Sequence, residues 1–218
     1  MKKTTLFASV AMAILFMFSC GSKSQQQSES EEATDSVYAD TFRDHTLYGI
    51  CGDATAMNSL QLITDSGDTL SLSLFEARDS NKVFGGLSVG DRMAVLANTD
   101  STAATLVINQ STLMGEWVMP NPLDGSSVVG ISLKEGGVAE SIEQSSLNYK
   151  SWKIFDGRLV LTAIREGGGD EKEVTTYDLV SLGADSLVIK DTEDTFEYAR
   201  NRPGVINLDE DVNLEELY

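Results

Sequence analysis

The sequence predicts an all-β protein in which a small five-stranded barrel is followed by a barrel of eight short strands. Three observations carry that expectation. From Thr46 onward the apolar residues recur with a period of two, which gathers them on one face of a strand. Turn residues interrupt these runs at short intervals, as at Asp65-Ser66-Gly67-Asp68 and Asp156-Gly157. No stretch repeats its apolar residues at helical spacing, apart from one turn in the acidic tail 208–217.

The chain begins with Lys2-Lys3, an uncharged stretch from Leu6 to Phe18, and then Ser19-Cys20. A positive end, a short apolar middle and a small residue before the cut are the parts of an export signal. The middle falls short of the ~20 apolar residues of a relaxed membrane span. Cysteine directly after the small residue resembles the lipobox of bacterial lipoproteins, with Phe18 where a smaller residue is usual. The resemblance implies that residues 1–19 are removed and that Cys20 carries the lipid. It places the protein in the bacterial cell envelope as an outer-membrane lipoprotein, facing the periplasm or the surface. Acyl chains at ~0.8 kcal/mol per buried methylene then form the contact with the membrane.

Residues 20–43 read as a flexible acidic tether, because Gln25-Gln26-Gln27 and Ser28-Glu29-Ser30-Glu31-Glu32 cannot bury enough surface to offset ordering. Removal of residues 1–19 takes away two lysines and no acid, which moves the net charge from −18 to −20. Such a field repels phosphate backbones, and no Lys/Arg cluster opposes it, so nucleic acid is excluded as a partner. Two cysteines are present; with Cys20 acylated, Cys51 has no partner for a disulfide and reads as a buried thiol.

Strands are expected at 46–51, 60–64, 69–74, 92–97 and 105–109, with 76–87 as a longer connection. Leu70, Leu72 and Leu74 take one face while serines take the other. Five strands in this space, with Leu87-Ser88-Val89-Gly90-Asp91 leading into the fourth, are similar to an OB-fold, and residues 44–112 are read as an OB-like barrel. Strands follow at 115–119, 127–134, 137–142, 148–155, 158–165, 173–180, 186–190 and 195–200. Asp156-Gly157 is a two-residue hairpin turn, so Phe155 pairs with Arg158, Ile154 with Leu159 and Trp152 with Leu161. That register points Trp152 inward.

Gly115-Glu116-Trp117 at the head of this meander looks like the Gly-x-Trp start of the lipocalins. Together with Tyr149-Lys150-Ser151-Trp152-Lys153 and Arg158-Leu159-Val160-Leu161-Thr162, it resembles the lipocalin-like lipoproteins of Bacteroides-type bacteria. The resemblance covers residues 113–202 and implies a lipocalin-like barrel over 113–203, with 204–218 as an acidic tail. It further implies that Trp117 plugs the closed end, with Arg200 or Arg202 over its ring. The segment is shorter than a full lipocalin, so the barrel is expected to be shallow.

Catalytic chemistry is poorly served. No Gly-x-Ser-x-Gly occurs, and His45, the single histidine, reads as a solvated loop residue. One histidine and one free cysteine do not make a zinc site. Asp209-Glu210-Asp211-Val212-Asn213-Leu214-Glu215 lacks the glycine that a calcium loop needs at its sixth position. No cofactor or metal is expected. Trp152, Tyr177 and Tyr198 are candidate ligand-lining residues, although rings in so small a barrel also serve as core. Ser36, Thr69, Ser101 and Ser186 each follow an aspartate and resemble the Asp-Ser/Thr-aliphatic O-glycan acceptor of exported proteins in such bacteria, with Thr102 in one aliphatic place. Asp-Ser and Asp-Thr are also ordinary turn residues. The leading expectation is a non-enzymatic, lipid-anchored protein that binds a small apolar or glycan ligand in the second barrel. A protein-interaction module with filled barrels is the alternative, and an envelope hydrolase trails both.

Overall fold

In the computed structural model, which describes residues 43–125, 127–143 and 146–202, every long element is a strand. The first sheet contains β1 (Leu47–Cys51), β2 (Ser59–Thr64), β3 (Thr69–Ser73), β4 (Val83–Phe84), β5 (Arg92–Ala97) and β6 (Ala104–Asn109). Their order is β3-β2-β1-β5-β6-β4. Alternation sends Leu60, Leu62 and Leu72 to one face, where they meet Cys51, Met93, Val95 and Val107 in a buried core. Fully burying a side chain of this kind contributes ~1.5–3 kcal/mol.

This overturns the closed five-stranded OB-like barrel expected for the first half: the sheet has six strands and is open. The reason lies at the free edge of β6. Val107 and Ile108 are taken there by β4, which runs parallel to β6. β3 is left to touch the same edge through one parallel bridge, Ser73 to Ala103. β4 falls in the stretch read as a connection, and two residues are too few to display a period. Two helices were also beyond reach of periodicity, α1 (Phe75–Asp79) and α2 (Gln110–Leu113), each about one turn long.

The second sheet contains β7 (Gly115–Pro120), β8 (Val128–Leu133), β9 (Ala139–Ile142), β10 (Leu147–Phe155), β11 (Arg158–Arg165), β12 (Lys172–Leu182), β13 (Ser186–Lys190) and β14 (Thr195–Arg200). It is antiparallel throughout, in the order β10-β11-β12-β13-β14-β7-β8-β9. The last strand returns to the first, pairing Ala199 with Val118 and Arg200 with Trp117. The edge strands β9 and β10 then approach each other. Val138 bridges Ser151, and Ser141 Oγ donates to Leu147 O at 2.5 Å while accepting from Tyr149 N at 2.8 Å. The result is a nearly closed eight-stranded barrel. At the β10–β11 turn, Asp156 (φ 50°) and Gly157 (φ 69°) both take the left-handed conformation that a two-residue hairpin needs. The pairs Phe155–Arg158, Ile154–Leu159 and Trp152–Leu161 follow from that turn.

The two sheets share a core. On β5, Met93 and Val95 face the first core and Ala94 faces the barrel side; on β6, Val107 and Ile108 divide in the same way. Both strands are therefore buried on both faces, which is why they read as continuous apolar runs. Phe84 and Leu113 join Ala94 and Ile108 against Trp117 and the barrel residues.

A polar clamp reinforces this packing. Asp44 Oδ1 accepts from Thr46 N (3.0 Å) and Asp156 N (2.9 Å), and Asp44 Oδ2 accepts from the Tyr48 hydroxyl at 2.8 Å. Thr46 Oγ1 accepts from Gly157 N at 3.1 Å. His45, expected to be solvated, has Nδ1 3.0 Å from Asp156 Oδ1 with both side chains about half exposed. Residues 44–48 thus hold the β10–β11 turn against the first sheet.

Candidate functional site

Two cavities divide the aromatic residues of the second sheet other than Trp117 between them. The first is the barrel mouth, a cavity of about 430 Å³. β7 carries Met119 to its wall, β10 Tyr149, β12 Tyr177, and β14 both Phe196 and Tyr198. Tyr177 and Phe196 meet edge to face, with ring centroids 5.9 Å apart at 80°. Burial pushes the phenols of Tyr149, Tyr177 and Tyr198 above their ordinary range, and mutual repulsion adds to the effect for Tyr149 and Tyr198. All three therefore stay protonated at neutral pH and can donate to an oxygen acceptor.

The loop after β7 shapes the rim. Asn121 Oδ1 accepts from Leu123 N at 3.0 Å, Asn121 Nδ2 donates to Ser127 Oγ at 3.0 Å, and Asp124 Oδ1 accepts from Ser127 N at 3.2 Å. This network holds Leu123 at the mouth with 95% of its surface exposed. A large aliphatic side chain displayed on a braced loop beside an aromatic cavity is positioned to cover an apolar ligand.

At the opposite end, Trp117 is completely buried and its Nε1 donates to Leu113 O at 2.7 Å. Arg200 lies over the indole with its Cζ 4.1 Å from the ring. Its guanidinium donates to Ala184 O (2.6 Å), Met114 O (3.0 Å) and Thr112 O (2.5 Å). Gly115 sits directly beneath: its φ is +140°, and a Cβ there would stand 2.2 Å from Arg200 Nη1. Arg202 instead pairs with Asp185.

The second cavity, about 820 Å³, is a cleft between the sheets. β1 supplies Tyr48 and Ile50, β5 Arg92, α2 Gln110 and Ser111, and β10 Trp152 to Phe155. The turn Glu135 to Gly137 forms the remaining wall. Arg92 binds the Asp65 carboxylate through both terminal nitrogens, which holds that carboxyl below its usual range. Burial would raise the Asp44 carboxyl, but the donors from Asp156, Thr46 and Tyr48 outweigh it and lower it.

Of the ring residues read as candidate ligand-lining, Tyr177 and Tyr198 lie in the mouth, whereas Trp152 lines the inter-sheet cleft and donates from Nε1 to Lys134 O at 2.8 Å. Thr69, Ser101 and Ser186 are exposed; Ser36 and Cys20 lie outside the described residues. The polar residues of the cleft and the rim residue Leu123 were missed. Leu123 left a signal, an isolated aliphatic residue in the turn-rich stretch Asn121-Pro122-Leu123-Asp124-Gly125. Among the described residues, no group of three or more His, Cys, Asp or Glu side chains is placed to hold a metal ion.

Residues 109–201 match a family described as lipocalin-like. A solved lipocalin-like protein from Bacteroides thetaiotaomicron is 38% identical, over 41% of this chain and 97% of that chain, with a TM-score of 0.38. No curated protein matches the sequence.

Proposed function

We infer, from the premise that this chain belongs to the lipocalin-like family through residues 109–201, that its barrel mouth binds a small ligand and performs no catalysis. The ligand is mostly apolar and carries an oxygen acceptor. The observation behind this reading is the composition of the mouth: protonated Tyr149, Tyr177 and Tyr198 around an aromatic wall, under an exposed Leu123. A volume of about 430 Å³ suits a small organic molecule. Glu173 and Asp191 act on these phenols, so the field around the mouth is negative and a neutral acceptor is favoured over a carboxylate.

We further propose that Cys20 carries the lipid that anchors the protein in the bacterial envelope; the support is the order of Lys2-Lys3, the apolar run and Ser19-Cys20. The binding reading is tested with N-phenylnaphthylamine, a neutral fluorescent probe, and its displacement by decanol. The wild-type protein should enhance the probe's emission, and both Leu123→Asp and Tyr198→Ala should weaken binding. Absent enhancement, or binding indifferent to both substitutions in folded protein, would refute it.

A further inference from the structure

We propose that the cleft between the two sheets is a second binding site, separate from the barrel mouth, and that it takes a short neutral oligosaccharide. The lining selects that chemistry by elimination. Three carboxylates face the cleft, but Asp65 is neutralised by two-point contact with Arg92, and Asp44 is engaged by the backbone N–H groups of Thr46 and Asp156 and by the Tyr48 hydroxyl, which it shares with Ile154 O. Glu135 alone remains, too little to select a cation. An anion would meet Lys153 on the wall, but Glu135 on the same lining and a chain of net charge −18 oppose it. A purely apolar molecule would strip water from Arg92, Ser111 and Glu135 without replacing their hydrogen bonds.

What fits is a ligand with a C–H face and a rim of groups that both donate and accept. Tyr48, Trp152 and Phe155 supply ring surface for the face. Gln110 supplies the sharper argument. Its amide nitrogen is the one buried side-chain polar atom without a hydrogen-bond partner among the described residues. Most buried donors in folded proteins are paired; Gln110 lines the cleft, and a turn of its terminal amide would present this nitrogen to a sugar hydroxyl there. The cleft's volume of about 820 Å³ accommodates more than one sugar ring.

The site draws on both sheets, so it exists only in the assembled chain. The mouth is lined wholly by the second sheet and its loops. The two readings can therefore fail independently.

The test uses the full-length chain and saturation-transfer NMR with cellobiose, maltose and diacetylchitobiose. At least one of the three should receive saturation. Gln110→Leu should weaken its binding about tenfold, the cost of one lost hydrogen bond. Ile50→Trp fills the cleft and should abolish the signal, whereas Leu123→Asp at the mouth should leave it unchanged. Should Ile50→Trp fail to fold, Lys153→Glu, an exposed change on the cleft wall, takes its place and should weaken binding. Absence of saturation transfer to all three sugars overturns the proposal. So does binding that survives the cleft variants but is lost with Leu123→Asp.

Discussion

Replacing Arg200 with methionine probes the closed end of the barrel most directly. The substitution keeps an unbranched apolar stem and removes the charge, three hydrogen bonds to backbone carbonyls and the contact with the Trp117 ring. Hydrogen bonds from a charged group contribute ~1.5–3 kcal/mol each, and a cation over an indole adds ~0.5–2 kcal/mol. Two effects offset that sum. Burial disfavours the Arg200 charge, and water can reach carbonyls that the half-buried guanidinium leaves. A net loss of about 3 kcal/mol remains, a large share of the 5–15 kcal/mol typical of a folded domain. Urea unfolding followed by tryptophan fluorescence reads it. Gly115→Ala gives an independent check. At φ +140° the new side chain is strained, at ~1–3 kcal/mol, and its Cβ displaces Arg200 Nη1. Because part of its cost runs through Arg200, the double variant should lose less than the two single losses combined. A loss below about 1 kcal/mol for Arg200→Met, or strict additivity in the double variant, would refute the reasoning.

Four further outcomes are expected. Asp44 and Asp65 have carboxyls held below 3.8, so the stability they contribute is present above that value and lost as pH falls through their folded pKa values. Tyr48, Tyr149, Tyr177 and Tyr198 are raised above 10.0, so stability holds below pH 10.0 and falls as pH rises beyond it; a melting temperature that climbs above pH 10.0 would contradict this. Cys20→Ser should leave uncleaved precursor or soluble protein in phase partitioning, and mature protein still wholly in the detergent phase would sink the anchor. Residues 109–203 expressed alone should fold cooperatively but melt below the full chain, because Phe84 and Ala94 no longer cover the barrel; an unstructured circular-dichroism spectrum would count against a separable barrel.

Local signals in this chain were legible and long-range ones were not. Asp156-Gly157 specifies its own turn, and the turn specifies the pairing of Trp152 with Leu161 without reference to anything distant. Closure of the first sheet depends on which segment wins the edge of β6, and Val83-Phe84 has too few residues to announce itself. Tyr149, Tyr177 and Tyr198 each fall on the buried alternation of their strands, β10, β12 and β14, so period-two reading finds them. The cleft draws one or two side chains from each of several segments, from Asp44 to Phe155. Tyr48, Arg92 and Gln110 carry no spacing that relates them, and only the packing of one sheet on the other brings them together.

That same packing sets the depth of the barrel cavity. β13 and β14 have five and six residues, which at about 3.3 Å per residue makes strands of roughly 20 Å or less. The end nearest the first sheet is occupied by the Trp117 ring, with Arg200 above it and Ala94, Ile108 and Leu113 in the same core. Nothing long can run through the barrel, so the cavity is confined to the end where Met119, Tyr149 and Tyr198 stand. On the proposed reading, a ligand held there is lined by Tyr149, Tyr177 and Tyr198 and meets Leu123 at the rim. Such a site would favour a compact ligand, and an extended acyl chain would have to leave most of its length in water. Shortening the apolar tail of a test ligand should cost little affinity once the tail no longer reaches past Leu123, whereas removing its oxygen acceptor should cost the bond to the phenols at any length.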